Sequence, residues 1–146
     1  MAQMPAGYST RSLPDKLGIK AGAKIALVAA PKGYEATLGK LPPGVTPAKA
    51  LRGRLDLIQV FVKSRAELVR RFPALKKALA IDGALWVSWP KKASGVATDL
   101  GEDAVRDIGL AHGLVDVKVC AVDEIWSGLK FVYRLSDRKK GKATRN

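Results

Sequence analysis

Five short apolar runs, Lys24–Ala29, Leu55–Val62, Ala84–Trp89, Leu114–Ala121 and Leu129–Leu135, set the terms on which this chain can fold. Each fits a strand in length, and the unbroken apolar character of the first two places them in a sheet covered on both faces. Helical patterns separate them. Ser64-Arg65-Ala66-Glu67 has the spacing of a capping box, and Leu68, Phe72, Leu75 and Leu79 form one apolar stripe on a helix reaching about Ala80. Pro73 lies inside that helix and is expected to kink or divide it, with Asp82-Gly83 closing the turn.

Thr98-Asp99 is expected to cap the next helix, with Ala104, Val105, Ile108 and Ala111 on its buried side, Leu110 off that stripe and His112-Gly113 at its end. Leu13–Leu17 predicts a short helix stopped at Gly18, and Tyr34–Gly39 one or two helical turns. Leu41-Pro42-Pro43-Gly44 is a loop, and Ala48–Leu51 a short edge strand. The acids and turn formers of Asp123-Glu124 and Ser127-Gly128 leave no room for a crossover helix, so the last two strands must pair antiparallel. The expected fold is a single α/β domain over 13–135, mostly parallel with a C-terminal antiparallel hairpin. Residues 1–12 read as a flexible segment and 136–146 as a basic, disordered tail.

Charge narrows the partners. The net charge of +13 draws in anionic ligands or nucleic acid. Residues 134–146 hold six basic groups against Asp137, so Arg138, Lys139, Lys140, Lys142 and Arg145 are candidate phosphate contacts, with a solvated tail as the plainer reading. The stretch from Asp99 to Glu124 carries seven acids against Arg106 and Lys118. The single cysteine, Cys120, excludes an internal disulfide and a multi-cysteine metal site; it reads as a buried thiol, and no metal or cofactor is expected. No signal-peptide pattern opens the chain and no run approaches a membrane span, so a soluble cytoplasmic protein is expected, without membrane partners and with its oligomeric state open.

Two strand-to-loop junctions carry the candidate site. Lys32, Gly33 and Tyr34 follow the first strand; Trp89, Lys91, Lys92 and Ser94 follow the third, with Thr98 opening the next helix. A parallel sheet binds at the carboxyl ends of its strands, so these loops would share one mouth and offer cations, free amides and hydroxyls to a phosphate or carboxylate. The bland alternative is a solvated loop pair, because no P-loop spacing is present. Asp123 and Glu124 stand at a strand end as paired carboxylates or as a turn with an ion pair to Lys130. Trp89 and Trp126 either flank a flat ligand or pack as core. His112 sits where a helix C-terminus welcomes a cation, with no nucleophile placed beside it. No catalytic residue is assigned.

From Asp56 to Arg134 the order resembles the second half of a Rossmann-like methyltransferase. The carriers are Leu55-Asp56-Leu57-Ile58, Asp82-Gly83-Ala84-Leu85-Trp86-Val87 and the closing hairpin Val117–Arg134. The resemblance implies a three-layer Rossmann-like body. It departs from that family after the first strand, where Val28-Ala29-Ala30-Pro31-Lys32-Gly33 has one glycine and a proline, and no acid lies between Glu35 and Asp56 to hold a ribose. That departure counts against S-adenosylmethionine as a cofactor.

The whole chain also resembles an uncharacterised bacterial family, the domain of unknown function three-zero-five-two. Tyr8-Ser9, Leu17-Gly18-Ile19-Lys20, Trp89-Pro90-Lys91-Lys92 and Asp123-Glu124 with Trp126–Phe131 carry that likeness, which implies no activity. The leading expectation is a non-enzymatic binding module for an anionic ligand, either a phosphorylated small molecule or nucleic acid. The alternatives are a degenerate methyltransferase-like enzyme and a protein-interaction scaffold built on the acidic helix.

Overall fold

The computed structural model describes residues 11–144; Tyr8-Ser9 and Arg145 lie outside them. Five strands form one sheet: β1 (Ile25–Val28), β2 (Leu55–Phe61), β3 (Leu79–Pro90), β4 (Leu114–Ala121) and β5 (Trp126–Tyr133), in the spatial order β1-β2-β3-β5-β4. β1, β2 and β3 run parallel, and β5 enters antiparallel between β3 and β4. This is the expected mostly parallel sheet with an antiparallel hairpin.

Alternation along the strands divides the core into two layers. Ala26, Val28, Ile58, Val60, Leu85, Val87 and Phe131 face the helices α3 (Arg65–Ala78) and α4 (Glu102–Ala111). Ile25, Leu27, Leu57, Phe61 and Trp86 face α1 (Leu13–Leu17) and α2 (Tyr34–Leu38). Gly109 brings α4 close to the sheet: a Cβ there would enter the Phe131 ring.

Several local expectations shift. α3 is not divided, because Pro73 falls on its exposed face, where the carbonyl left without a partner can meet water. Ser64 Oγ accepts from the Glu67 amide at 3.1 Å as the capping box requires, but Glu67 Oε1 reaches the Lys63 amide, one residue earlier than expected. Asp82-Gly83 is not a turn; it lies inside β3, in a register shift against β2. Gly83 is needed there, since a Cβ would stand 2.9 Å from the carbonyl oxygens of Leu55 and Asp56.

Gly101, not Thr98 or Asp99, is the N-cap of α4. Asp99 Oδ1 instead accepts from the Arg65 amide at 2.8 Å, so it completes the start of α3. Ala111 is exposed, whereas Leu110 lies off the buried stripe as expected. β5 begins three residues earlier than its apolar run, at Trp126, so Ser127 and Gly128 are inside the strand. Leu135–Thr144 forms a helix, α5, where a tail was expected from residue 136. Of the acidic stretch, Glu102, Asp103 and Asp116 all bind Arg106, at 2.6, 3.1 and 2.9 Å, which ties α4 to β4 and neutralises part of that charge internally.

Candidate functional site

β1 ends in a tight turn. Ala29 takes φ +57°, a left-handed conformation that a side chain disfavours, and Gly33, at φ +81°, precedes the first residue of α2. Tyr34 then turns inward. Its hydroxyl donates to Gln59 Oε1 at 2.7 Å, and Gln59 Nε2 donates to Ser88 Oγ at 3.2 Å; Gln59 and Ser88 are both fully buried. This polar chain fastens α2 to β2 and β3, and so fixes the Lys32-Gly33 loop above the end of β1. Burial pushes the Tyr34 phenol well above its usual pKa, against a smaller opposing effect of the Gln59 hydrogen bond.

On the outer side of β1, Ala48 makes a single parallel bridge to Ala26: the Ala48 amide donates to Ile25 O at 3.0 Å and the Leu27 amide to Ala48 O at 2.9 Å. The expected edge strand is thus one bridge long. From β1 the chain moves outward to Ala48 and then crosses back to β2. Strand order reverses at β1, the place where an open α/β sheet leaves a crevice for a ligand.

A crevice of about 440 Å3 lies there, between the turn Ala29–Glu35 and the segment Pro47–Lys49. Its volume suits a small molecule. Leu27, Ala30 and Ala48 give it apolar walls, and Lys32, Glu35 and Lys49 are its charged groups.

Lys32, Gly33 and Tyr34 line this crevice; the other proposed ligand residues do not. β1 and β3 run in the same direction as expected, but β2 separates them, roughly 10 Å apart at two strand spacings. Lys91 turns away: its Nζ donates to Asp123 O at 2.6 Å and its amide to Ile125 O at 2.7 Å. Ser94 Oγ closes its own turn on Lys91 O at 2.6 Å. Lys92 and Thr98 border a different hollow of about 610 Å3 at the start of α4, where Thr98 Oγ1 donates to Lys63 O at 2.6 Å. The single mouth expected from the sequence is therefore divided.

Asp123 is a turn former. Its Oδ1 accepts from the Ile125 and Trp126 amides, both at 2.8 Å, while Glu124 is exposed and neither pairs with Lys130. Trp89 and Trp126 are both buried, on opposite faces of the sheet, so they cannot sandwich one flat ligand. Trp126 packs edge-to-face on Phe61 at 5.0 Å. His112 caps α4, stacks on Phe72 at 4.5 Å and holds Ile108 O through Nδ1. The Cys120 thiol is buried, which raises its pKa. Arg138, Lys139, Lys140 and Lys142 lie on α5. Among the described residues, no group of three His, Cys, Asp or Glu side chains is placed to hold a metal, and no helix is long and apolar enough to cross a membrane.

Ala29, Gln59, Ser88, Pro47 and Lys49 were not singled out by sequence. Gln59 was visible as the one amide inside an apolar strand, and a buried amide needs partners. The Ala48 bridge had a trace in the expected edge strand, but nothing local showed that it would face Lys32.

No family model matches this chain, and no curated protein does. Solved structures do share its fold. It is similar to magnesium protoporphyrin IX methyltransferase from Synechocystis with bound SAM, with a TM-score of 0.55 and 12% identity over 84% of this chain and 74% of that one. It is also similar to ribosomal protein L11 methylase from Lactobacillus delbrueckii, with a TM-score of 0.58 and 14% identity over 84% and 75%. A TehB-like SAM-dependent methyltransferase from Corynebacterium glutamicum matches with a TM-score of 0.54 and 13% identity over 88% and 91%. What these structures share with this chain is the Rossmann-like α/β fold.

Proposed function

We propose that the crevice at the end of β1 binds an adenosyl ligand of the S-adenosylmethionine and S-adenosylhomocysteine class. The reading rests chiefly on the crevice at the point where strand order reverses, in a fold shared with proteins solved with SAM or SAH bound. The apolar walls suit an adenine ring, and Lys32 suits the carboxylate of the ligand's amino-acid end. Glu35 is the acid available to ribose hydroxyls or to the ligand's amino group.

The fit is incomplete at two points: the turn after β1, Ala29-Ala30-Pro31-Lys32-Gly33, has one glycine and a proline where close approach of the backbone to the ligand favours glycines, and an acid is missing. Lys49 stands beside the Ala48 bridge, where such sheets place the acid that holds a ribose. The ligand, when bound as SAM, would supply a methyl group on a sulfonium; no transfer step is assigned to the residues of the crevice.

Lys32 and Lys49 support a second reading, in which the occupant carries a phosphate, as in an adenine nucleotide. Calorimetric titration with S-adenosylhomocysteine, adenosine and adenosine monophosphate separates the two. Saturable binding of S-adenosylhomocysteine, abolished by Ala30→Trp, supports the first; tighter binding of the monophosphate supports the second. Failure of all three to bind contradicts both.

A further inference from the structure

The basic charge of this chain is not spread evenly over the fold. At the carboxyl ends of the parallel strands acids stand among the lysines: Asp99 and Glu102 where α4 begins, Asp123 and Glu124 between β4 and β5, and Glu35 at the crevice. At the amino ends cations dominate. Arg52 and Arg54 precede β2, Lys76 and Lys77 lie in the last turn of α3 before β3, and Arg138 and Lys139 lie on α5, which follows the end of β5. The acids on these segments are fewer: Asp82, Asp137 and Asp56, whose Oδ2 accepts from the Lys24 amide at 2.8 Å.

Tyr133, the last residue of β5, draws these segments together. Its hydroxyl donates to Lys76 O at 2.9 Å, and Lys76 Nζ stands 5.8 Å from its ring centre. Burial raises the Tyr133 pKa, Asp137 adds to the rise and Arg54 opposes it, so the segment before β2 and the first turn of α5 both come near this ring. α5 in turn packs on β3. Arg52, Arg54, Lys77 and Lys139 are exposed, and among the described residues their side chains make no hydrogen bond and no ion pair. On the helix faces, by contrast, Arg71 pairs with Glu67 and Arg106 with Glu102, Asp103 and Asp116. Arg138 Nε is shielded from water with no acceptor, which leaves its guanidinium short of a partner.

We propose that this amino-end face, formed by the segment before β2, the end of α3 and the start of α5, binds the phosphodiester backbone of a nucleic acid. Exposed, unpaired lysines and arginines gain most from phosphates, because contact releases the counterions of the strand. α5 alone is about 15 Å long, more than one phosphate group spans, and Lys140 and Lys142 also lie on it. Cations drawn from three segments suit successive phosphates of a strand better than one small phosphate. A membrane surface is the poorer match: Leu135 is the one large apolar residue of α5, and an interfacial helix needs an apolar side. Sequence pointed to the C-terminal cations alone; Arg52, Arg54 and Lys77 join them only through the fold. The face lies at the opposite edge of the sheet from the crevice at β1 and does not depend on what that crevice binds.

The test is fluorescence anisotropy of the full chain with a labelled oligothymidylate and with a labelled mixed-sequence duplex of the same length, across a salt series. Saturable binding to either, weakening as salt rises, is expected. Arg54→Gln combined with Lys139→Gln removes two charges from the face; it should weaken binding by about tenfold or more at low salt and flatten the salt slope by roughly one to two. Lys63→Gln combined with Lys92→Gln removes the same charge at the carboxyl ends and should leave affinity within about twofold. Amide NMR of the wild-type chain gives a readout free of any variant: the oligothymidylate should shift Arg54, Lys77, Tyr133 and Lys139 and leave Ala29 and Gly33 in place. Equal losses in the two double variants would mean attraction to net charge alone and would overturn the proposal. So would shifts confined to another surface, the absence of saturable binding at low salt, or binding to phosphatidylserine vesicles with none to either oligonucleotide.

Discussion

The Tyr34 hydroxyl and the Gln59 side-chain oxygen meet at 2.7 Å in a place closed to water, and this contact joins the loop above β1 to the centre of the sheet. Tyr34→Phe leaves Gln59 with a buried acceptor unfilled and should cost about 1–3 kcal/mol, measured by urea unfolding. Gln59→Leu should cost at least as much, since it strands both the phenol and Ser88 Oγ.

The same phenol sets an alkaline limit. Its folded-state pKa is raised by burial, so the folded protein keeps a proton that the unfolded chain gives up. Stability from this group is complete below the unfolded value of about 10 and falls as pH rises beyond it. Unfolding midpoints should drop above that pH in wild type and drop less in Tyr34→Phe.

Ala29 holds φ +57° at the mouth of the crevice, a conformation that costs a side chain about 1–2 kcal/mol. Part of that is returned as unfolded-state entropy when glycine replaces it. Ala29→Gly should raise the thermal midpoint modestly and Ala29→Val should lower it, with calorimetric scans as the measurement.

Gly109 faces Phe131 with no room for a methyl group. Alanine at a helix interior ordinarily gains about 1 kcal/mol over glycine. Overpacking of about 1–3 kcal/mol should outweigh that gain, so Gly109→Ala should be net destabilising in urea.

Much of the fold was legible because apolar runs and turn chemistry are local. The five strands, the antiparallel hairpin, the Ser64 side-chain cap and the stop at Gly18 all follow from residues near one another in sequence. What was not legible depends on distant partners. Asp99 has the form of a helix cap, but the amide it finds belongs to Arg65, thirty-four residues earlier. Lys91 looks like a ligand-facing lysine, but the Asp123 carbonyl takes it. Lys32 was placed correctly at the end of β1, yet its companion across the crevice is Lys49, brought there by one bridge at Ala48.

Lys49 offers a direct change of specificity. If the adenosyl reading holds, Lys49→Glu supplies the missing ribose acceptor, and a hydrogen bond to a charged group is worth about 1.5 kcal/mol or more. Affinity for S-adenosylhomocysteine should rise by roughly tenfold in titration. Affinity for adenosine monophosphate should fall.

The most direct measurement is an amide NMR titration of the wild-type chain with S-adenosylhomocysteine. The account expects saturable shifts concentrated at Ala29, Ala30, Gly33, Ala48 and Lys49, on both walls of the crevice. Shifts confined to another surface, or no shifts at saturating ligand, would contradict it.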